Sequence, residues 1–155
     1  MILKLWNSLS AKPLGKTLFN NFIRFYVPYT ASVHPQVMEL RPGYARVQIK
    51  DRRSVRNHLN SIHAVAMMNL GEAATGMALM AGLPEWARAI LVKFQIEYLK
   101  KGRGTLTAIG DIKIPELEPG APRQEFQIHA NILNAEQEIV AKVYATWLID
   151  GGKTK

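Results

Sequence analysis

The chain has 155 residues, of which 48% are apolar and 21% are charged, and it contains no cysteine. This length predicts one domain with at most a terminal extension, and the apolar content excludes wholesale disorder. The lack of cysteine excludes disulfides, thiolate metal sites and a cysteine nucleophile, and a cytoplasmic setting is expected.

The net charge of +8 is unevenly distributed. Residues 1–60 contain ten Lys or Arg and two Asp or Glu, whereas residues 61–155 contain ten of each. Such a basic region attracts nucleic acid, acidic lipid or a phosphorylated small ligand, with a solvated positive surface as the alternative. Nucleic acid is not expected as a partner, because the aromatic residues fall at packing positions and are not interleaved with the basic cluster.

Residues 1–28 are predicted to form an amphipathic helical segment. Pro13 suits the first turn of a helix, and Pro28 ends the segment. The apolar residues at helical spacing between them are Leu14, Leu18, Phe22 and Phe25. This stripe is expected to pack into the core or cover the domain, with contact to a membrane surface as the alternative. No stretch is an unbroken apolar run of transmembrane length.

Two strands and one long helix are predicted next. Alternating apolar positions predict strands at 32–40 and 45–50 across the turn at Arg41-Pro42-Gly43, and Pro35 favours a sheet edge for the first. A helix from about His63 to Ala81 follows, and at about 1.5 Å per residue it is long enough to cross a whole sheet.

From residue 90 onward, apolar residues recur with a period of two and predict four strands joined by short connections. Short connections imply antiparallel pairing. The fold class is therefore α+β, in which a long central helix is wrapped by a curved antiparallel sheet of five to six strands at residues 29–150, beside an extra N-terminal helix. Residues 151–155 are expected to be a disordered tail.

Several familiar functional motifs are absent or incomplete in this sequence. The C-terminal Gly151-Gly152-Lys153-Thr154 imitates the end of a P-loop, but no helix follows it to hold a phosphate. His58 and His63 lack an acidic partner at ligand spacing, and no Gly-x-Ser-x-Gly elbow exists. We therefore expect neither a metal nor a cofactor.

The residues that remain for chemistry lie in and before the central helix: Asn57, His63, Ala64 and Glu72. The free N–H of Ala64 at the helix N-terminus can stabilise a developing oxyanion, and Asn57 can donate to the same carbonyl. Glu72 can take a proton from water. The alternatives are an arginine-paired Glu72 and a capping or packing His63.

Glu72 follows His63 by nine residues, which is about 900° of helical rotation and places the two half a turn apart. They would point to opposite sides of the helix. A site that uses both is therefore predicted to combine two protomers.

The segments 56–65 and 69–76 resemble the helix start of hotdog-fold acyl-CoA thioesterases, and they are most similar to the phenylacetic-acid-pathway type and a related, largely uncharacterised thioesterase-like group. In that family an Asn precedes a His-Gly-Gly signature by six residues and an acid follows the His by nine. Asn57, His63 and Glu72 match both spacings. Residues 100–108 also resemble the family's turn after the helix, and the shared element order covers about residues 30–150.

The resemblance implies a hotdog fold, a homodimer or dimer of dimers, and an acyl-CoA substrate. Glu72 is implied as general base or nucleophile, Asn57 and the Ala64 N–H as polarising the thioester carbonyl across the dimer interface, and His63 as ordering the loop. The residues implied to bind coenzyme A phosphates are Lys100, Lys101, Arg103 and Arg56, with Arg52 and Arg53 as further candidates.

The chain departs from the family pattern at two places. His-Gly-Gly is replaced by His63-Ala64-Val65, and a hydroxyl residue that some members carry on the next strand is replaced within Ala89–Leu91. A non-catalytic hotdog protein that binds acyl-CoA or a lipid-like ligand is therefore the alternative function. A hotdog dehydratase is disfavoured because the chain lacks the Pro-Gly segment of such enzymes.

Overall fold

The computed structural model describes residues 1–152. The helices are α1 (Ile2–Leu9), α2 (Gly15–Tyr26), α3 (Pro28–Ala31) and α4 (Ala64–Gly82), and a 3₁₀ turn spans Arg53–Val55. The strands are β1 (Gln36–Arg41), β2 (Tyr44–Ile49), β3 (Arg88–Tyr98), β4 (Leu106–Asp111), β5 (Gln124–Leu133) and β6 (Ile139–Asp150). Both the central helix and the six predicted strands are confirmed.

The strands form one six-stranded sheet in the order β1-β2-β4-β5-β6-β3, and every neighbouring pair is antiparallel. Helix α4 packs across this sheet, with its closest packing against β2 and β4. A side chain at Gly110 of β4 would lie 2.8 Å from the Ala74 carbonyl oxygen, so glycine is needed for this close approach. The architecture confirms the predicted α+β class.

Helix α4 is the core of the domain. By length and composition it could cross a membrane, but 72% of its most apolar window is buried inside the protein. Residues such as Leu70, Ala74 and Leu79 are fully buried. The burial identifies α4 as a core helix, as predicted.

The N-terminal segment differs from the prediction in two ways. It contains three helices rather than one, and Pro13 lies in the turn between α1 and α2. The predicted apolar stripe also lies on the surface, where Leu14 is 78% and Phe25 is 88% exposed. The stripe was expected to pack into the core or to cover the domain. Leu14 and Phe25 do not enter the core, whereas Phe22 lines a cavity between α2 and α4. The buried face of α2 contains Phe19, Asn20 and Ile23 instead.

The side chain of Asn20 explains which face of α2 is buried, because it forms hydrogen bonds with the edge strand β1. Its Oδ1 accepts a hydrogen bond from the Val37 N–H at 2.7 Å, and its Nδ2 donates to the Val37 carbonyl at 3.2 Å. Lys16 adds a bond from its Nζ to the Met38 carbonyl at 3.0 Å, beside a bulge in β1. A polar residue thus lies on the buried face of α2 beside the apolar Phe19 and Ile23.

Replacing Asn20 by Ala should lower the free energy of unfolding by about 2–3 kcal/mol, because the buried Val37 N–H and carbonyl would lose their partners. Urea denaturation would measure this change. Asn21→Ala, on the exposed side of the same helix, is the matched control and should change stability by less than about 0.5 kcal/mol. Equal effects of the two substitutions would contradict the role given to Asn20.

The first strand begins later than predicted, at Gln36 rather than Ser32. Helix α2 ends at Tyr26, just before Pro28 as predicted. Pro28 also starts the short helix α3, and His34 follows with a left-handed φ of 50°. Only after Pro35 does extended pairing begin. The edge position predicted from Pro35 is confirmed, since β1 lies at one end of the sheet.

The end of the chain lies only partly within the described residues. The predicted tail at 151–155 and the rejected P-loop-like motif at 151–154 both extend beyond residue 152, where the described part of the structure ends. Gly151 is buried, and its N–H donates to the Ala121 carbonyl at 3.0 Å.

Candidate active site

The loop before α4 is shaped by the side chain of Asn57. Its Oδ1 accepts hydrogen bonds from the Leu59 N–H at 2.9 Å, the Ser61 N–H at 3.3 Å and the Ser61 hydroxyl at 3.1 Å. Within residues 1–152 we find no acceptor for its Nδ2 group. Asn57 therefore holds the loop with its oxygen, and its two Nδ2 hydrogens have no partner among the described residues.

His63 caps the N-terminus of α4. Its Nδ1 accepts a hydrogen bond from the Val65 N–H at 3.1 Å, and its backbone N–H donates to the Val55 carbonyl at 2.7 Å. The capping role considered for His63 is thus present in the structure. The bond from the His63 N–H to Val55 also holds the preceding 3₁₀ turn against the start of the helix.

The N–H of Ala64 is the first in α4 and has no partner inside the helix. None of the hydrogen bonds formed by the described residues uses it. The Ala64 carbonyl accepts a bond from the Tyr98 hydroxyl at 2.9 Å, which ties the helix start to the end of β3. This leaves a fixed backbone donor that can bind a carbonyl oxygen.

Glu72 is half-buried on the face of α4 that turns away from the sheet. Its carboxylate forms no hydrogen bond or ion pair with any described residue, so the alternative of a structural arginine partner is not observed. Burial raises the pKa of Glu72. A partly desolvated, unpaired carboxylate in a cleft is a candidate for acid–base chemistry.

Glu72 lines a cavity of about 650 Å³ between α4 and the N-terminal helices. Asn57, His63 and Ala64 do not line this cavity. Within a single chain, the structure therefore separates Glu72 from the other three predicted site residues. Their convergence across two protomers stays a prediction.

The predicted phosphate-binding residues divide into two groups. Arg56 and Arg103 both lie around Asp51, whose pKa is lowered by the hydrogen bond from Arg56, by the Gly104 N–H and by both arginine charges. By contrast, Lys100 forms an ion pair with Glu138 at 2.8 Å. Lys101 is exposed. The structure thus brings Arg56 and Arg103 together and directs Lys100 elsewhere.

The Asp51 cluster is connected to the start of α4. The Ile62 N–H donates to the Gly102 carbonyl at 2.7 Å, so the 101–104 turn lies directly against the loop that carries Asn57. Arg52 is not part of the Asp51 cluster, since its guanidinium donates a hydrogen bond to the Ser32 carbonyl. Sequence reasoning missed Asp51, and the only available signal was a single acid among four basic residues in 50–56.

The residues that line the cavity opposite Glu72 were also not predicted from the sequence. Residues of α1 and α2, among them Ile2, Leu5 and Phe22, line the cavity opposite Glu72. The sequence carried one usable signal, the apolar character of residues 1–28, and of the four residues in the predicted stripe Phe22 lines the cavity.

Comparison with known proteins identifies the fold. A structural-genomics protein, APC5556, is 27% identical and superposes with a TM-score of 0.82 over 97% of this chain and 99% of that one. PA5026 of Pseudomonas aeruginosa, described as a probable thioesterase, is 18% identical with a TM-score of 0.77 over 86% and 95%. BH2602 of Bacillus halodurans, solved with CoA, is 21% identical with a TM-score of 0.68 over 85% and 82%.

These likenesses confirm the hotdog fold predicted from the start of the central helix. No curated protein matches the sequence significantly. Residues 15–149, most of the chain, match a family described as a domain of unknown function, DUF4442. The chain is therefore a hotdog-fold member of the DUF4442 family.

Proposed function

We propose that the protein is a cytoplasmic acyl-CoA thioesterase, similar to the phenylacetic-acid-pathway type, that acts as a homodimer or dimer of dimers. The observation that carries the proposal is the half-buried Glu72 carboxylate on the central helix of a hotdog fold, which has no partner among residues 1–152 and whose pKa is raised by burial. The probable thioesterase PA5026 and the CoA-bound BH2602, which share the fold, support the same chemistry.

In the proposed reaction the thioester carbonyl oxygen accepts hydrogen bonds from the Asn57 Nδ2 group and the Ala64 N–H. Glu72 takes a proton from water while the water oxygen bonds to the carbonyl carbon. The resulting oxyanion is stabilised by the same two donors. The carbon–sulfur bond then breaks, and the departing thiolate takes the proton back from Glu72, which yields a carboxylic acid and free coenzyme A.

The proposal requires two protomers. Glu72 lines a cavity that none of Asn57, His63 and Ala64 reaches within one chain. Two copies that place their α4 helices side by side would bring the Glu72 of one near the helix start of the other. His63 is then a positioning residue, because it holds the helix start through the Val65 N–H.

Arg103 is proposed to bind a coenzyme A phosphate together with Arg56 and Lys101. Arg103→Ala should raise KM for acyl-CoA about tenfold and leave kcat unchanged, since a charge-assisted hydrogen bond far from the reacting carbon is lost. Steady-state kinetics at low and high salt would measure this. Arg123→Ala removes an arginine that is paired with Asp150, and it should leave KM unchanged. A fall in kcat without a rise in KM would contradict phosphate binding by Arg103.

A binding protein without catalysis is the second candidate. Val65 replaces a family glycine at the helix start and its side chain is exposed there, where it would crowd an incoming carbonyl. The N–H of Ala64 is nevertheless retained. This candidate predicts saturable acyl-CoA binding with no release of thiol.

The experiment that separates the two candidates is thiol release from short, long and aromatic acyl-CoAs, with wild type beside Glu72→Gln and Asn57→Ala. Release that needs both residues supports the thioesterase. No release above buffer from any acyl-CoA would reject coenzyme A thioesters as substrates.

A further inference from the structure

The cavity beside Glu72 is built from two parts of the chain that are distant in sequence. Ile2, Leu5, Phe22 and Tyr26 of the N-terminal helices line one side, and Ala73 and Met80 of α4 line the other. The rings of Phe22 and Tyr26 stack on each other at 5.7 Å with an interplanar angle of 12°. The N-terminal helices are thus a wall of the cavity.

The cavity is lined by apolar side chains apart from four, one of which is Tyr26 with its hydroxyl. Thr30 and Glu72 contribute polar atoms, and Glu85 is engaged by the Met1 amine at 3.0 Å and by Lys4 at 2.9 Å. Among the described residues that line it, none is Lys or Arg. The Met1 amine is already paired with Glu85, so the described lining residues offer no free cation to the phosphates of coenzyme A, whereas they do offer apolar contacts to a hydrocarbon chain.

The dimensions fit an extended ligand. A volume of about 650 Å³ lies within the range of pockets that enclose most of a small molecule. The lining follows α4 from Glu72 to the residues just beyond its C-terminus, a span of about 16 Å at the rise of an α-helix. An elongated apolar group that begins at Glu72 would extend along this path.

We infer that this cavity holds the acyl chain, and that α1 and α2 make the protein selective for long aliphatic acyl groups over acetyl groups. The inference rests on the proposed function, because it takes the reacting carbonyl to lie near Glu72. Each additional buried methylene should then raise affinity about fourfold until the cavity is filled.

The test compares dodecanoyl-CoA with acetyl-CoA. The wild type should favour dodecanoyl-CoA in kcat/KM, and Phe22→Ala should lower the ratio of the two values about tenfold by removing part of the wall. Phe25→Ala is the matched control on the same helix, because Phe25 is exposed and does not line the cavity. It should leave the ratio at the wild-type value.

A second substitution tests the opposite wall. Met80→Trp would fill part of the cavity from α4 and should disfavour dodecanoyl-CoA more than acetyl-CoA. A thermal melt of each variant confirms that the fold is kept. Equal chain-length ratios in wild type, Phe22→Ala and Met80→Trp would overturn the inference.

Binding measurements keep this inference distinct from the thioesterase proposal. Calorimetric titration of dodecanoyl-CoA into wild type, Phe22→Ala and Phe25→Ala needs no turnover. Weakened binding in Phe22→Ala alone supports the cavity assignment even if no thiol is released. Thiol release that is indifferent to chain length keeps the thioesterase and overturns the acyl-chain assignment.

Discussion

Glu72→Gln is expected to lower kcat for acyl-CoA hydrolysis by about 10²–10⁴-fold. Glutamine has the same shape as glutamate but cannot take a proton from water, and general-base catalysis contributes about this factor. The side chain forms no hydrogen bond or ion pair with other described residues, so the substitution should not disturb the helix. Thiol release under saturating substrate would measure the loss, with Glu125→Gln, an exposed glutamate on the inner strand β5, as the control.

The pH dependence gives a second test of Glu72. Burial raises its pKa, so kcat/KM should increase with pH through a value above the ordinary range of glutamate. Because of this burial, the ionisation of Glu72 costs more free energy in the folded protein than in the unfolded protein. The contribution of protonated Glu72 to the stability of the protein is complete below the pKa that Glu72 has in the unfolded state. It is lost as the pH rises through the pKa that Glu72 has in the folded state. Glu72→Gln should therefore match wild type at acid pH and exceed it in stability near neutral pH.

Two outcomes would reject this role. Wild-type kcat in Glu72→Gln would show that the carboxylate does not act in the reaction. A stability difference between wild type and Glu72→Gln that stays constant from pH 4 to 8 would show that Glu72 is not desolvated in the folded state.

Asn57→Asp is expected to lower kcat by about 10²–10³-fold, the usual effect of removing one donor to an oxyanion. Aspartate keeps the oxygen that accepts from Leu59 and Ser61, so the loop should remain folded. It lacks the two Nδ2 hydrogens and adds a negative charge where an oxyanion would form. Loss of activity with an unchanged Tm would separate donation to the substrate from support of the loop.

Mixing the two variants tests whether the site combines two protomers. Each homodimer of Glu72→Gln or Asn57→Asp is expected to be inactive. A mixed dimer would carry one site with both defects and one intact site, so random co-assembly should restore roughly a quarter of wild-type activity for a two-fold symmetric dimer. No recovery after verified exchange of subunits would place Asn57 and Glu72 of one chain in the same site.

The main elements were predictable because each has a simple local cause. The apolar run before Gly82 and Pro84 predicts α4, and the period of two after residue 90 predicts the last four strands. The orientation of α2 was not predictable, because Asn20 is buried by bonds to Val37, seventeen residues later. No pattern within the helix reveals a hydrogen-bond partner on another element.

The candidate site, like the fold, was predictable only in part. The spacing of Asn57, His63 and Glu72 could be read from the sequence, and the helix cap at His63 agrees with it. The cavity beside Glu72 could not be predicted, because its walls come from the chain start and from residues 72–87. Only the folded chain shows that these parts meet.

The two outer strands of the sheet differ in what a further strand would encounter. At β1, Asn20 and Lys16 already occupy backbone groups of Val37 and Met38, and the bulge disrupts the register. At β3, none of the side chains of residues 1–152 bonds to the outer backbone, and Ile90 is 63% exposed. A second copy added along β3 would leave only protected β1 strands outside. Association through the sheet would then stop at two copies, without growth into fibres.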